Sequence, residues 1–221
     1  MKNNNILYKN FIKNLSEKKI FLVKVFANLI FQFFIAYIVL LVAENNNIIH
    51  NNYQLISIVF AIFILIILML FIKSLLVRFF LFCILSSMIG LMFSYKIDIN
   101  NKEQTDISKK AFLITIGIFI FMVCFAFFLI YFGVKIPYQS GIALYIILLL
   151  LIIFILIIKL LGKYSIFHKA ISGTIILIFS LYIGYDTINI MDKNYNDDFV
   201  NASLDYFIDL LNIFSSTNNL I

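Results

Sequence analysis

The chain has 221 residues, of which 63% are hydrophobic and only 13% charged, and 26 of them are Phe. A water-soluble domain of this length needs far more polar side chains to cover its surface, so that class is excluded. The formal charge of +6 comes from 17 basic residues scattered over short segments with no run of four. A phosphate-tracking surface is therefore excluded too, and the basic residues are expected to face anionic lipid.

Taken in chain order, the first 19 residues, ending EKK at 17–19, are expected to form a cytoplasmic segment. They are polar for too long to be a cleaved signal peptide. A first span follows at about 20–43, closed by AENNN, and a second at about 55–72. A short link holding Lys73 and Arg78 leads to a third span at about 79–95. The polar stretch KIDINNKEQTDISKK, with Lys96, Asp98, Glu103 and Asp106, then precedes a fourth at about 111–132. GVKIPYQS, with Lys135 and the sole proline Pro137, turns the chain into a fifth span at about 142–158. LGKYSIFHK separates that from a sixth at about 170–190. After MDKNYNDD, with Lys193, comes a last apolar segment at about 199–214. It is short and acid-bearing, and is expected to be a tilted or partly re-entrant helix before a polar tail at 215–221. Only helices satisfy this much backbone in lipid, and the alternation a barrel needs is absent. The expectation is an all-α polytopic membrane protein, one seven-helix bundle over 20–214. With the N-terminus inside, ten basic residues fall on the cytoplasmic side against seven opposite.

Cys83 and Cys124 each sit in an apolar run and read as packing thiols. His50 and His168 fall in connecting segments without metalloenzyme spacing. No nucleophile elbow is present, so an enzyme is not expected, nor is a cofactor.

The informative residues are acids inside apolar segments. The first five spans hold almost none. The sixth carries Asp186, about sixteen residues into the helix, and the seventh carries Asp205 and Asp209. A carboxylate in hydrocarbon costs about 2.5 to 3.5 kcal/mol on insertion scales, so such residues demand a reason. Asp205 and Asp209 are four apart and share a helix face, with Asn201 before them and Asn212 after, opposite Phe207, Leu211 and Phe214. That polar stripe is expected to face the bundle interior or a water-filled path. Ser180 and Thr187 accompany Asp186, and Gly173, Ser180 and Gly184 make a small-residue stripe that admits a close neighbour. Asp186 and Asp209, on consecutive helices, can meet in an antiparallel pair. They would then share a proton, titrate as a unit and bias helix packing with pH. The same oxygens suit weak, transient Ca²⁺ contact. Hydration of Asp186 near the 191–198 loop, and of Asp205 at a wet helix end, are the blander alternatives.

SGTIILIFSLYIGYDTINIM at 172–191 and NASLDYFIDLLNIF at 201–214 resemble the two C-terminal motifs of the Bax inhibitor-1 (TMBIM) family, which includes Golgi anti-apoptotic proteins and bacterial members. Weaker similarity runs through FLVKVFANLIFQFF at 21–34, the region of Gly90, and AFLITIGIF at 111–119, where Thr115 and Phe119 match family positions. Where the family usually has a proline-asparagine-leucine motif, this chain reads SLLVRFFLF at 74–82. The resemblance implies a seven-helix protein that leaks Ca²⁺ down its gradient under pH control, with Asp186 and Asp209 as sensor and gate. It also implies an arginine latch on those aspartates, for which Arg78, the single arginine, is the candidate. Eukaryotic members reside in the endoplasmic reticulum or Golgi, lower stored Ca²⁺ and suppress apoptosis. A viral copy would share that location, and a bacterial one would lie in the plasma membrane.

Three readings follow. The chain is a Ca²⁺-permeable leak channel, with Asp205 possible at its mouth. Alternatively it is a non-conducting adaptor acting through cell-death regulatory membrane proteins, or a proton-coupled exchanger using the same aspartates. The expected partners are the bilayer and Ca²⁺, and the expected state is a monomer.

Overall fold

Backbone polar groups in hydrocarbon must be satisfied within their own segment, and every described element of regular structure is accordingly an α-helix. The computed structural model describes residues 2–46, 51–94, 102–134, 136–192 and 197–221. The helices are α1 (Lys2–Asn46), α2 (Asn52–Phe71), α3 (Leu75–Ser94), α4 (Lys102–Tyr131), α5 (Tyr138–Leu160), α6 (Tyr164–Asp192) and α7 (Phe199–Leu220). His50, Tyr95, Lys96, Asp98, Lys135 and Lys193 lie outside the described residues.

Local chemistry sets the breaks. Asn51 caps α2, its side chain accepting the Gln54 N–H at 2.8 Å. Gly133 and Gly162 stop α4 and α5 with φ of 73° and 67°, a region that admits glycine without strain. After each, the next amide reaches back to a carbonyl five residues earlier: Val134 to Leu129 at 3.0 Å and Lys163 to Ile158 at 3.1 Å. Asp198 opens α7 by accepting the Asn201 N–H at 3.1 Å.

Among the described residues six helices are long and apolar enough to cross a membrane, namely α1 to α6. The chain is an integral membrane protein on this ground. Its outer surface agrees, since α2 buries only Met69 and α5, among its described side chains, only Ile158. Most of the other Leu, Ile and Phe of those helices are exposed and the rest half-buried, as lipid-facing helices require. The helices also extend past the predicted spans. α1 begins in the polar segment expected to precede the membrane, and α4 and α6 begin before their apolar runs. His168, expected in a connection, lies in the early turns of α6. The last helix is unbroken through Leu220, where a polar tail was expected; there Ser216 and Thr217 are buried and Ser215 and Asn218 half-buried.

The chain divides into two compact units, Met1–Ile20 with Ile107–Asn194 and Ile208–Ile221, and Phe21–Asp106 with Tyr195–Phe207. In the second, α1 buries a stripe at Leu22, Val25, Leu29, Gln32, Ala36 and Leu40, the spacing of a 3.6-residue period. α3 answers with Phe82, Ser86, Ile89 and Gly90. The start of α7 joins them: Phe207 packs edge-on against Phe33 and Phe82 at ring-centre distances of 6.4 and 5.1 Å. Contacts advance together along α1 and the start of α7, from Asn28 with Ser203 to Phe33 with Phe207, so these two helices run parallel. In the other unit α4 buries a seam at Ser108, Ala111, Thr115, Met122 and Ala126, most of them small residues.

Gly90 marks a close approach of α3 to α1. A Cβ there would collide with the Ala36 carbonyl oxygen and crowd Val39 and Leu40. Gly90→Ala should therefore push the helices apart and destabilise the protein by about 1 to 3 kcal/mol. Thermal unfolding in detergent measures this, and an unchanged midpoint would show that the approach is not tight.

Candidate functional site

The two motif aspartates lie in the same unit. Asp209 on α7 is 5% exposed and Asp186 on α6 is half-buried. They share a neighbour: the Tyr182 phenol, one turn before Asp186, is within electrostatic reach of Asp209 and Asp186, with the phenols of Tyr145 and Tyr185 also close. Two features hold α6 to its neighbours here. Tyr185 lies over Gly141 of α5 so closely that any Cβ at that glycine would strike the ring, and a Cβ on Gly184 would meet Met122 Cε of α4 at 3.2 Å. Of the predicted small-residue stripe, Gly184 marks a close approach, whereas nothing lies within 4 Å of a Cβ on Gly173.

The α7 stripe is divided. Asn201 and Asp205 are exposed, Asn212 is half-buried and Asp209 is buried, while Phe207 and Phe214, on the side placed opposite the polar stripe, are also buried. Successive residues are about 100° apart, so four residues leave an offset of about 40°. The edge of the buried face passes between Asp205 and Asp209, and that offset is enough to put them on different sides of it. Asn212 Nδ2 donates to the Ile208 carbonyl at 2.9 Å. Ser180 and Thr187 likewise turn onto their own helix, donating to the Ile176 and Ile183 carbonyls at 2.6 and 2.8 Å.

Arg78 sits in the other unit, at the start of α3, and its guanidinium pairs with Asp198, the residue that caps α7. Asp198 thus spends one carboxylate oxygen on a backbone amide and the other on Arg78. The pair is mostly shielded, at 14% and 22% side-chain exposure, which strengthens it relative to a surface ion pair.

The same unit holds a buried polar network that attention to ionisable residues overlooked. Asn28 Nδ2 donates to Ser203 Oγ, Gln32 Nε2 to Asn28 Oδ1 at 3.2 Å and to Cys83 Sγ at 3.4 Å, and Ser86 Oγ to Gln32 Oε1 at 2.9 Å. Asn28 and Gln32 are four apart in a span whose one charged residue is Lys24, and that spacing was the available signal. The network joins α1, α3 and the start of α7. Both cysteines are free, Cys83 within this network and Cys124 exposed on α4.

Among the described residues no three His, Cys, Asp or Glu side chains gather as a metal site.

A family model described as an inhibitor of apoptosis-promoting Bax1 matches residues 18–220. No curated protein matches the chain.

Gln32 is the hub of the polar network, so Gln32→Leu should leave Asn28 and Ser86 short of a partner and cost about 1 kcal/mol, within the range of interhelical hydrogen bonds in membranes. Combining it with Ser86→Ala should cost less than the sum of the single changes. Thermal unfolding of the three variants tests this; strict additivity would mean that the groups act independently.

Proposed function

The chain belongs to the Bax inhibitor-1 family, and on that premise we propose that it is a pH-sensitive, Ca²⁺-permeable leak channel with Asp186 and Asp209 as its sensor and gate. The observation that carries this reading is the placement of Asp209: a carboxylate only 5% exposed inside a membrane bundle, near a phenol that also neighbours Asp186. A buried carboxylate is retained at considerable expense, and a shared, titratable site is a physical reason for retaining it. Lowering a Ca²⁺ store in this way would give the anti-apoptotic role of the family a mechanism. The lowered store is that of the endoplasmic reticulum or Golgi if the source is eukaryotic or viral. The protein would act as a monomeric conduit without enzymatic chemistry.

The channel reading needs α7 to cross the membrane although it is not apolar enough to be counted with the other six helices. Three contacts support a seventh crossing. Arg78 at the start of α3 meets Asp198 at the start of α7, which places both on one face if α3 to α6 each cross once. Lys18 Nζ donates to the Ile190 carbonyl at 3.0 Å, which agrees with six crossings bringing the polar stretch of α1 and the end of α6 to one face. Ser108, at the start of α4, donates to Asn218 near the end of α7 at 3.2 Å, on the opposite face. The 22 residues of α7 span about 33 Å, enough for a bilayer core of about 30 Å.

Reconstitution tests the function. Purified protein in liposomes enclosing a Ca²⁺ dye should admit Ca²⁺ at a rate that varies from about pH 6 to about pH 8, a window around physiological pH. Asp186→Asn, Asp209→Asn and the double change should flatten that dependence, since they keep the shape and remove the charge. Absence of flux from folded, inserted protein would sink the channel and favour an adaptor acting through cell-death membrane proteins. Flux driven by a pH gradient against the Ca²⁺ gradient would instead identify a proton-coupled exchanger.

A further inference from the structure

Serine and threonine hydroxyls inside membrane helices ordinarily satisfy themselves on the carbonyl four residues back. Thr115, Thr174 and Thr187 do so here, at 2.8, 2.9 and 2.8 Å. Thr217 does not. It is 2% exposed, its Oγ1 is fully enclosed, and that hydroxyl has no hydrogen-bond partner among the described residues. A buried donor left unbonded carries the full penalty of its lost hydration, which a group is spared only when water or an ion reaches it.

The surroundings point to what would reach it. Thr217 is eight residues beyond Asp209, about 12 Å further along α7. Ser216, buried at 4%, stands between them on nearly the same line of the helix as Asp209, two turns on. Across from this end of α7, the α4 seam brings buried Ser108 to Asn218. Antiparallel register then puts the buried Thr115 at the depth of residue ~211, between Thr217 and Asp209. These groups all lie in one compact unit. They offer only neutral oxygens and an amide, and the last turn of α7 holds no basic residue to offset the partial negative charge of its carbonyls. Lys109 and Lys110, next to Ser108, are exposed and turned off the α4 seam.

We propose that Thr217, at the level of Ser216 and of the Ser108–Asn218 contact, marks an outer constriction of the ion path, where a hard cation or the water it carries is held by hydroxyl and amide oxygens on its way between Asp209 and the outer face. This rests on the channel reading above. Neutral oxygens replace part of the hydration shell of a hard cation without binding it tightly enough to stop release. Asp209 sets when the path opens, and the oxygens at the level of Thr217 set how easily ions pass.

Ca²⁺ flux into liposomes, measured for the parent, Thr217→Val, Thr217→Ser and Asp209→Asn, tests the proposal alongside thermal unfolding of each in detergent. Thr217→Val keeps the shape and removes the hydroxyl. It should lower flux roughly fivefold or more at every pH, leave the form of the pH profile unchanged, and unfold at the same or a higher temperature, because an unbonded buried hydroxyl is gone. Thr217→Ser should restore flux. Parent-like flux in Thr217→Val, with the Asp209→Asn profile flattened, would overturn the constriction and leave the channel standing. Loss of flux with unfolding below the parent would make the hydroxyl structural and also overturn it. No flux from the parent would bring down the channel and the constriction together.

Discussion

A helix bearing carboxylates, amides and hydroxyls can lie across a bilayer only if other helices take the contact with lipid. α7 carries such groups, and much of it is buried among other helices. Tyr206, Phe207 and Ile213 are fully buried along it, and so are Val200, Ala202 and Ser203. The most apolar elements, α2 and α5, are the ones turned almost wholly outward. In water the least polar helix would be the innermost. In lipid the logic inverts, since hydrocarbon solvates Leu and Ile as well as protein does, and the interior is where polar groups find partners.

The same inversion explains how the polar groups are organised. Near one end of α7, Ser203 enters a network with Asn28, Gln32 and Ser86, and Asp198 pairs with Arg78. Near the other end Ser108 meets Asn218. Van der Waals contact adds to these bonds where small residues permit it, as at Gly90 beneath Ala36 and at Gly184 beside Met122. Helix association without a hydrophobic driving force depends on these two devices, close packing and interhelical hydrogen bonds.

Much of this was legible in the residues. Long apolar runs announced the first six helices, and Asp186 and Asp209 stood out because almost nothing else ionisable lies so deep. Helix ends were less legible, because polar residues such as those at 102–110 and 215–220 can continue a helix once protein or interface surrounds them. The residues left open whether the first turns of α7 face the interior or water, and Asn201 and Asp205 are exposed. A stripe of Asn201, Asp205, Asp209 and Asn212 looks uniform in sequence, yet the edge of the buried face cuts through it, and only tertiary packing decides where that edge falls. The partner of Arg78 was out of reach for another reason. Resemblance pointed the guanidinium at the motif aspartates, whereas Asp198 lies 120 residues away in a loop whose acids carried no pattern.

That separation has a consequence for biosynthesis. The guanidinium of Arg78 leaves the ribosome long before its carboxylate partner exists, roughly 6 to 24 s at synthesis rates of 5–20 residues per second. Until then the arginine must remain at the headgroup level, solvated by phosphate and water, and the beginning of α3 stays unanchored. The final helix is less apolar than the six before it and is made last, after the residues it pairs with. Arrival of Asp198 neutralises the waiting charge and caps the incoming helix in one contact. A nascent chain halted before that point would carry an uncompensated cation at the start of α3.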